Sequence, residues 1–560
     1  MDVKRNLLLV ALAVVSYLIL LTWNKDFPAK NVVAEQSVVT INQQSNNLPT
    51  IPAINTETTS DLPLAQNQKV AVTTSPTNSS LIVINTPLQI VTLDLLGGDI
   101  VNVSLRKFPI SLDRADEPFT LLKNDSTGVY VARSGLVGTN GPDANSDGRP
   151  KYRSTQTQYS VAEGELSVDL ITSDINNVVI TKRYIFNASD YLIKLNFLID
   201  NKTGSPWQAN LFGQIKRDRS VDPSIVSGFG VKKTYLGAVL TSQKDPYQKL
   251  KFDDIDQIIE PIKTIGGWIG FSQHYFLGSW IPPQTAVNTF SVRNNSNNEY
   301  LLGFVSPETV VQGGESAVIE AAFWAGPKDQ YRLEAIAPNL GLTIDYGKLW
   351  YFAYPVFWLL SQINDLVGNY GLSIILLTVI IRLLFYPLSA KQYKSQANMK
   401  RLQPKINQLK ERYGEDKQKF MQAQMELWKK EKVNPFGGCL PVLLQMPVFL
   451  GIYWVLNESV ELRQATFILW YQDLSAMDDY FVLPILLGAA YYLQQHMTPM
   501  MTTDPMQAKM MKFMPVIFSV FFLFFPAGLV LYYLVNAVLG ILQQWYFTNK
   551  VESLNAANNG

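Results

Sequence analysis

Four textures follow one another along the chain. Residues 7–23 form an almost unbroken apolar run behind Lys4 and Arg5. No small-x-small site follows it, so an uncleaved signal anchor over 1–24 is expected, a cleaved signal peptide being the alternative. Residues 25–80 are rich in Pro, Ser, Thr, Asn and Gln and carry no apolar period, which predicts a disordered linker. From 81 to 341 short runs alternate, as in "QIVTLDLL", "VVITKRYIF" and "YLIKLNFLI". Turn clusters such as "NKTGSP" and "NNSNNE" separate them. This texture predicts an all-β domain, a sandwich. Residues 342–368 hold "LWYFAYPVFWLL", with six aromatics between Trp350 and Trp358. They predict an amphipathic helix at a membrane interface, interrupted near Pro355; a helix packed on the β domain is the alternative.

Beyond that helix, five apolar segments cover 371–388, 434–456, 480–495, 513–525 and 527–547. Two are short for the ~20 residues that a bilayer core requires. The charges between them alternate in sign. Loop 389–433 holds twelve basic residues against five acidic ones, which places it in the cytoplasm. Loop 457–479 has Arg463 against Glu458, Glu461, Asp473, Asp478 and Asp479, and belongs outside. Loop 496–512 has Lys509 and Lys512 against Asp504, and belongs inside. The expected fold class is a polytopic α-helical membrane protein of six transmembrane helices with an all-β outer domain. Both chain ends face the cytoplasm, with a helical core over 369–548 and a short tail over 549–560.

Within 389–433, Leu402, Ile406, Leu409 and Tyr413 share one helical face, and Met421, Met425 and Trp428 share another. Gly414 separates them. The spacing predicts a helical hairpin with one apolar seam and basic outer faces. It serves either as a docking arm or as a solvated, positive-inside loop.

Composition narrows the chemistry. Apolar residues make up 47% and charged residues 17%, which favours membrane segments over a soluble chain. One cysteine and two histidines leave little room for thiol, histidine or metal catalysis. No phosphate-binding loop motif occurs, so no nucleotide-driven pump is indicated. No enzymatic activity, cofactor, metal or specific nucleic acid is expected. "DANSDG" (143–148) matches half of a calcium loop but lacks its final glutamate, and reads as a surface turn. His274 reads as a core or interface histidine.

Arg382 stands out. It follows Gly371 by 11 residues, roughly 16 Å along a straight helix, and precedes Lys391 by nine, roughly 13 Å. That puts a guanidinium near mid-bilayer, at a cost of about 2.5 kcal/mol or more. The apolar segments offer no interior acid to pair with it. Two readings remain: an arginine that snorkels, or one that faces a water-filled cavity open to the cytoplasm. Thr378, Gln445, Ser519, Asn536, Gln543 and Gln544 are the polar groups that would line such a cavity; each alone reads as an interhelical hydrogen-bonding group.

The stretches "LQPKINQLKERYGEDKQKFMQAQMELWKKEKVNPFGGCLPVLLQMPVFLGIYWVL" (402–456), "SVELRQATFILWYQDLSAMDDYFVLPILLG" (459–488), "TDPMQAKMMKFMPVIF" (503–518) and "PAGLVLYYLVNAVLGILQQ" (526–544) closely resemble the YidC membrane protein insertases. The resemblance covers 343–547, and the outer β domain resembles the Gram-negative form. It implies a periplasmic β-supersandwich, a five-helix core and a cytoplasmic hairpin in the bacterial inner membrane. By position, Arg382 matches the arginine of a hydrophilic groove open to cytoplasm and lipid. Tyr532 and Tyr533 match the substrate-contacting face of the last span. The hairpin, with Lys405, Lys410, Arg412, Lys417, Lys429 and Lys430, matches the element that recruits substrate. The implied partners are nascent membrane proteins, the lipid bilayer, and the Sec translocon with its accessory subunits. A ribosome is a further implied partner, but the tail "TNKVESLNAANNG" has one lysine, and no strong tail-mediated contact is expected. The expected function is insertion, folding and assembly of membrane proteins without an energy source. A transporter with a periplasmic binding domain and a purely structural assembly factor are the rival readings.

Overall fold

The computed structural model describes residues 81–559 apart from 145–147, 173–176, 224–234, 257–259, 414–415, 432, 434–439 and 499–504. The expected anchor (1–24) and linker (25–80) lie outside the described residues.

Strands occupy Leu81–Pro327 and form two sheets. A ten-stranded sheet runs from edge strand Ile262–Ile265 through Tyr300–Val311, Trp207–Arg217 and Gly128–Val137 to Leu81–Asn85 and Gln158–Ser160. A nine-stranded sheet runs from Gln248–Leu250 through Phe276–Ile281, Ser316–Pro327 and Leu192–Asn201 to Val178–Asn187, Glu165–Thr172 and Tyr152–Arg153. Neighbours are antiparallel except Leu81–Asn85 with Gln158–Ser160. Alternation explains the layering. Val178, Ile180, Lys182, Tyr184 and Phe186 point inward from one strand, and their intervening neighbours point out. Inward residues of both sheets share one core, including Val103, Leu136, Phe197 and Phe304.

Lys182 is the exception on its inward row. Its ammonium donates to the carbonyls of Gly97 and Ser134, both at 2.8 Å. Burial lowers it to about 7. Beside it Arg149 pairs with Asp99 at 2.9 Å and with Asp143. Asp143 is therefore buried and ion-paired, not part of a surface turn as its "DANSDG" context suggested. Among the described residues no cluster of metal-ligating side chains occurs.

Helices follow in chain order: α1 (Phe252–Ile255), inside the β region, α2 (Gln330–Ile336), α3 (Trp350–Val367), α4 (Tyr370–Leu384), α5 (Tyr386–Tyr413), α6 (Lys417–Lys430), α7 (Leu440–Glu458), α8 (Val482–Met497), α9 (Pro505–Phe522) and α10 (Ala527–Asn559). Helix α3 runs unbroken through Pro355, contrary to the expected interruption. Its buried face, Ala353, Val356, Phe357, Leu360 and Ile363, packs on α7 and α4 and holds the helix across the missing N–H. Trp350, Tyr351 and Trp358 remain exposed.

The expected straight segment 371–388 is instead two helices, α4 and α5, meeting at 71°. Pro387 explains the break: it lacks an N–H and its ring clashes with the carbonyl four residues earlier. The hairpin thus begins at Tyr386. Its seam also differs from expectation. Helix α5 buries Met399, Leu402 and Ile406, but α6 presents Phe420 and Gln424 inward. Met421 and Met425, expected in the seam, are 57% and 52% exposed. Two stripes with the same helical spacing lie one residue apart, and the larger aromatic Phe420 takes the inner one. Glu431 closes the hairpin through Arg401 (3.3 Å) and Lys405 (2.5 Å).

Among the described residues, Ala527–Lys550 is the one helix long and apolar enough to cross a bilayer, and bent α4–α5 is a second candidate. Phe513–Phe522 is a shorter apolar stretch. One core joins α3, α4, α7, α8 and α10 through Phe357, Leu377, Val455, Leu487 and Tyr532.

Candidate functional site

Arg382 sits in the last turn of α4, where the free carbonyls of a helix favour a cation. The bend between α4 and α5 breaks the straight helix along which the distance from Arg382 to Lys391 was counted. The side chain is 8% exposed. Its Nε donates to Asn536 Oδ1 (2.8 Å), Nη2 to the Asn536 carbonyl (2.6 Å) and Nη1 to Gln543 Oε1 (3.5 Å). All three acceptors lie on α10. No ion pair to Arg382 occurs among the described residues. Neutral amides and a carbonyl thus take the place that a buried arginine normally gives to a carboxylate.

Asn536, Gly540 and Gln543 stand at i, i+4 and i+7 on one face of α10. Gly540 leaves the space that the guanidinium fills. A Cβ there would lie 3.0 Å from Arg382 Nη2, 3.1 Å from the Tyr393 hydroxyl and 3.2 Å from Gln494 Nε2. The site therefore draws on α4, α5, α8 and α10. Tyr393, Gln494 and Gly540 were missed in the sequence. The i, i+4, i+7 polar stripe on an apolar helix was the signal that could have found the last. One turn further along α10, Gln544 Nε2 reaches Thr498 Oγ1 (3.2 Å) and Gln396 Oε1 (3.4 Å), and Gln544 Oε1 has no partner among the described residues.

The other candidates fall in different places. Thr378 is buried one turn before Arg382, and its hydroxyl donates to the Ile374 carbonyl at 2.6 Å. Ser519 donates to the Pro484 carbonyl at 2.8 Å, joining α9 to α8. Gln445 is half-buried on α7. Tyr532 and Tyr533 are 1% and 5% exposed. The Tyr533 ring lies 4.6 Å from Phe449 of α7 and 4.7 Å from Phe522 of α9. On the hairpin, Lys405, Lys410, Arg412, Lys429 and Lys430 are exposed; Lys417 opens α6.

The family model "60Kd inner membrane protein" matches residues 362–554, and the model "YidC periplasmic domain" matches 81–359. The chain is 48% identical over 561 residues to "Membrane protein insertase YidC" of Pseudomonas fluorescens (strain SBW25), covering 99% of both. It is equally 48% identical over 562 residues to the protein of that name from Azotobacter vinelandii, again over 99% of both. A solved structure of active YidC insertase with its first transmembrane domain resolved is 19% identical, with a TM-score of 0.38, covering 85% of this chain and 94% of that one. Matched along its whole length at this identity, the chain belongs to the YidC family of membrane protein insertases.

Proposed function

We propose that this chain inserts, folds and assembles integral membrane proteins in the bacterial inner membrane. It does so with six spans, both ends in the cytoplasm and the β domain in the periplasm. The observation that carries the site's role is the arginine held by neutral groups: Arg382 has its geometry fixed on α10 yet keeps an uncompensated charge. A polar or acidic segment of a nascent protein enters from the cytoplasm, guided by the basic hairpin. Arg382 draws its acidic groups inward and lowers the cost of moving polar groups into an apolar surround. The apolar segment then leaves for lipid, driven by burial of ~20 apolar residues. Contact with Tyr532 and Tyr533 requires Phe449 or Phe522 to withdraw, so the tyrosine face opens with substrate. No covalent step is needed. The Sec translocon, its accessory subunits and the ribosome are partners that this role would meet.

Reconstitution tests the reading. Purified protein in liposomes should accelerate insertion of a two-span substrate without nucleotide; a rate equal to protein-free liposomes would sink it. Arg382→Glu should slow acidic-tailed substrates most and Arg382→Lys least. Equal slowing of neutral and acidic tails would assign Arg382 to structure instead of attraction.

A further inference from the structure

The segment 457–481, from the last residues of α7 to the start of α8, holds the β domain and the helical core at once. On the β side, Arg463 Nη2 donates to the carbonyls of Pro109 (2.7 Å) and Ile110 (3.3 Å). Its guanidinium carbon lies 5.8 Å and 5.6 Å from the ring centroids of Phe119 and Phe276, which stack on each other at 4.3 Å. Gln464 Nε2 also donates to the Pro109 carbonyl (3.0 Å), and Val460 belongs to the β-domain core. His274 Nε2 meets the Asn457 carbonyl at 2.9 Å.

On the helical side, the same segment touches the starts of three helices. Asn369 Nδ2, at the N-cap of α4, donates to the Phe467 carbonyl at 3.1 Å. The Phe467 ring lies against Gly371 so closely that an added Cβ would sit 2.1 Å from it. At the start of α10, Ala527 N–H donates to Ala476 (2.7 Å) and Gly528 N–H to Leu474 (2.8 Å). At the start of α8, buried Asp478 accepts from Leu483 N–H (2.7 Å) and the Tyr471 hydroxyl (3.1 Å). Gln464, Leu469 and Phe481 adopt left-handed φ of 58°, 55° and 56°. Three non-glycine residues in that region persist only where surrounding contacts over-determine them.

We infer that this segment is a mechanical coupler, through which the β domain's grip on Arg463 sets the positions of α7 and α8 beside Arg382 and Tyr533. Helix α7 carries Phe449 onto Tyr533, and α8 carries Gln494 to the Arg382 site, so movement of the segment reaches both. Arg463 is a positioning residue with no substrate contact. Its effect on insertion rests on the insertase reading above.

Hydrogen exchange of the full chain in liposomes, read beside the insertion rate, tests it. Arg463→Ala should raise exchange about tenfold in 105–119, in 457–481 and in the first turns of α8, with 178–187 unchanged. Arg463→Lys, which keeps the charge and one carbonyl bond, should raise it less. Insertion should slow about threefold in Arg463→Ala. A rise confined to one side of the contact, or no rise in α8, overturns the coupling. So does unchanged insertion when both sides have opened. If the unsubstituted protein inserts nothing, the insertase reading fails by itself, and the exchange pattern still decides the coupling.

Discussion

Arg382 was conspicuous in the sequence because a charge inside an apolar run is costly wherever it sits. Its partners were not, because Asn536 and Gln543 reach it from a helix more than 150 residues away. The straight helix expected through Arg382 fails at Pro387, a local feature whose consequence is a 71° bend. Gly540 gives the residue-scale prediction. Its neighbours are the ends of flexible side chains, so Gly540→Ala should cost less than about 1 kcal/mol. Gly540→Leu would fill the space of the guanidinium, and overpacking there should cost about 1–3 kcal/mol. It should also slow acidic-tailed substrates more than neutral-tailed ones. Thermal unfolding and paired insertion assays check both; normal acidic-tail insertion by Gly540→Leu would show that the guanidinium position is not critical.

At the scale of elements, strands were more legible than helix ends. "VVITKRYIF" and "YLIKLNFLI" lie in paired strands because alternation fixes which side chains face the core. The hairpin shows the limit. Phe420 and Met421 begin stripes of equal spacing, and spacing alone does not choose between them. Packing does, since Phe420 closes on Leu402 and Ile406 while Met421 faces out. Phe420→Ala should therefore destabilise the hairpin by about 3 kcal/mol. Met421→Ala should stay within about 0.5 kcal/mol. Limited proteolysis across 389–433 in the full chain separates them. Greater sensitivity in Met421→Ala than in Phe420→Ala would mean the seam lies on the methionine side.

At the scale of the molecule, the sequence placed the β region and the helical region correctly as different textures but held no sign of the contact between them. The charges of loop 457–479 indicated only that it belongs outside, whereas Asp478 is buried and Val460 enters the β core. His274 makes that contact sensitive to pH. Burial, and then the nearby Lys328 cation, lower it from its ordinary value to about 4, against the opposing pull of Asp222 and the Asn457 carbonyl. In the unfolded chain it titrates near 6.5. Between these values the unfolded state binds more protons, so stability falls as pH drops from 6.5 toward 4. The neutral ring is accommodated fully above that window, and the loss reaches about 2 kcal/mol at pH 5. Carboxylates titrate in part of the same range, so the readout is the difference in thermal midpoint between pH 7 and pH 5 for the native chain and for His274→Gln. The native chain should show the steeper loss, with faster exchange in 457–481 at pH 5. Identical slopes would mean that His274 titrates alike in the folded and unfolded chain and that the junction does not respond through it.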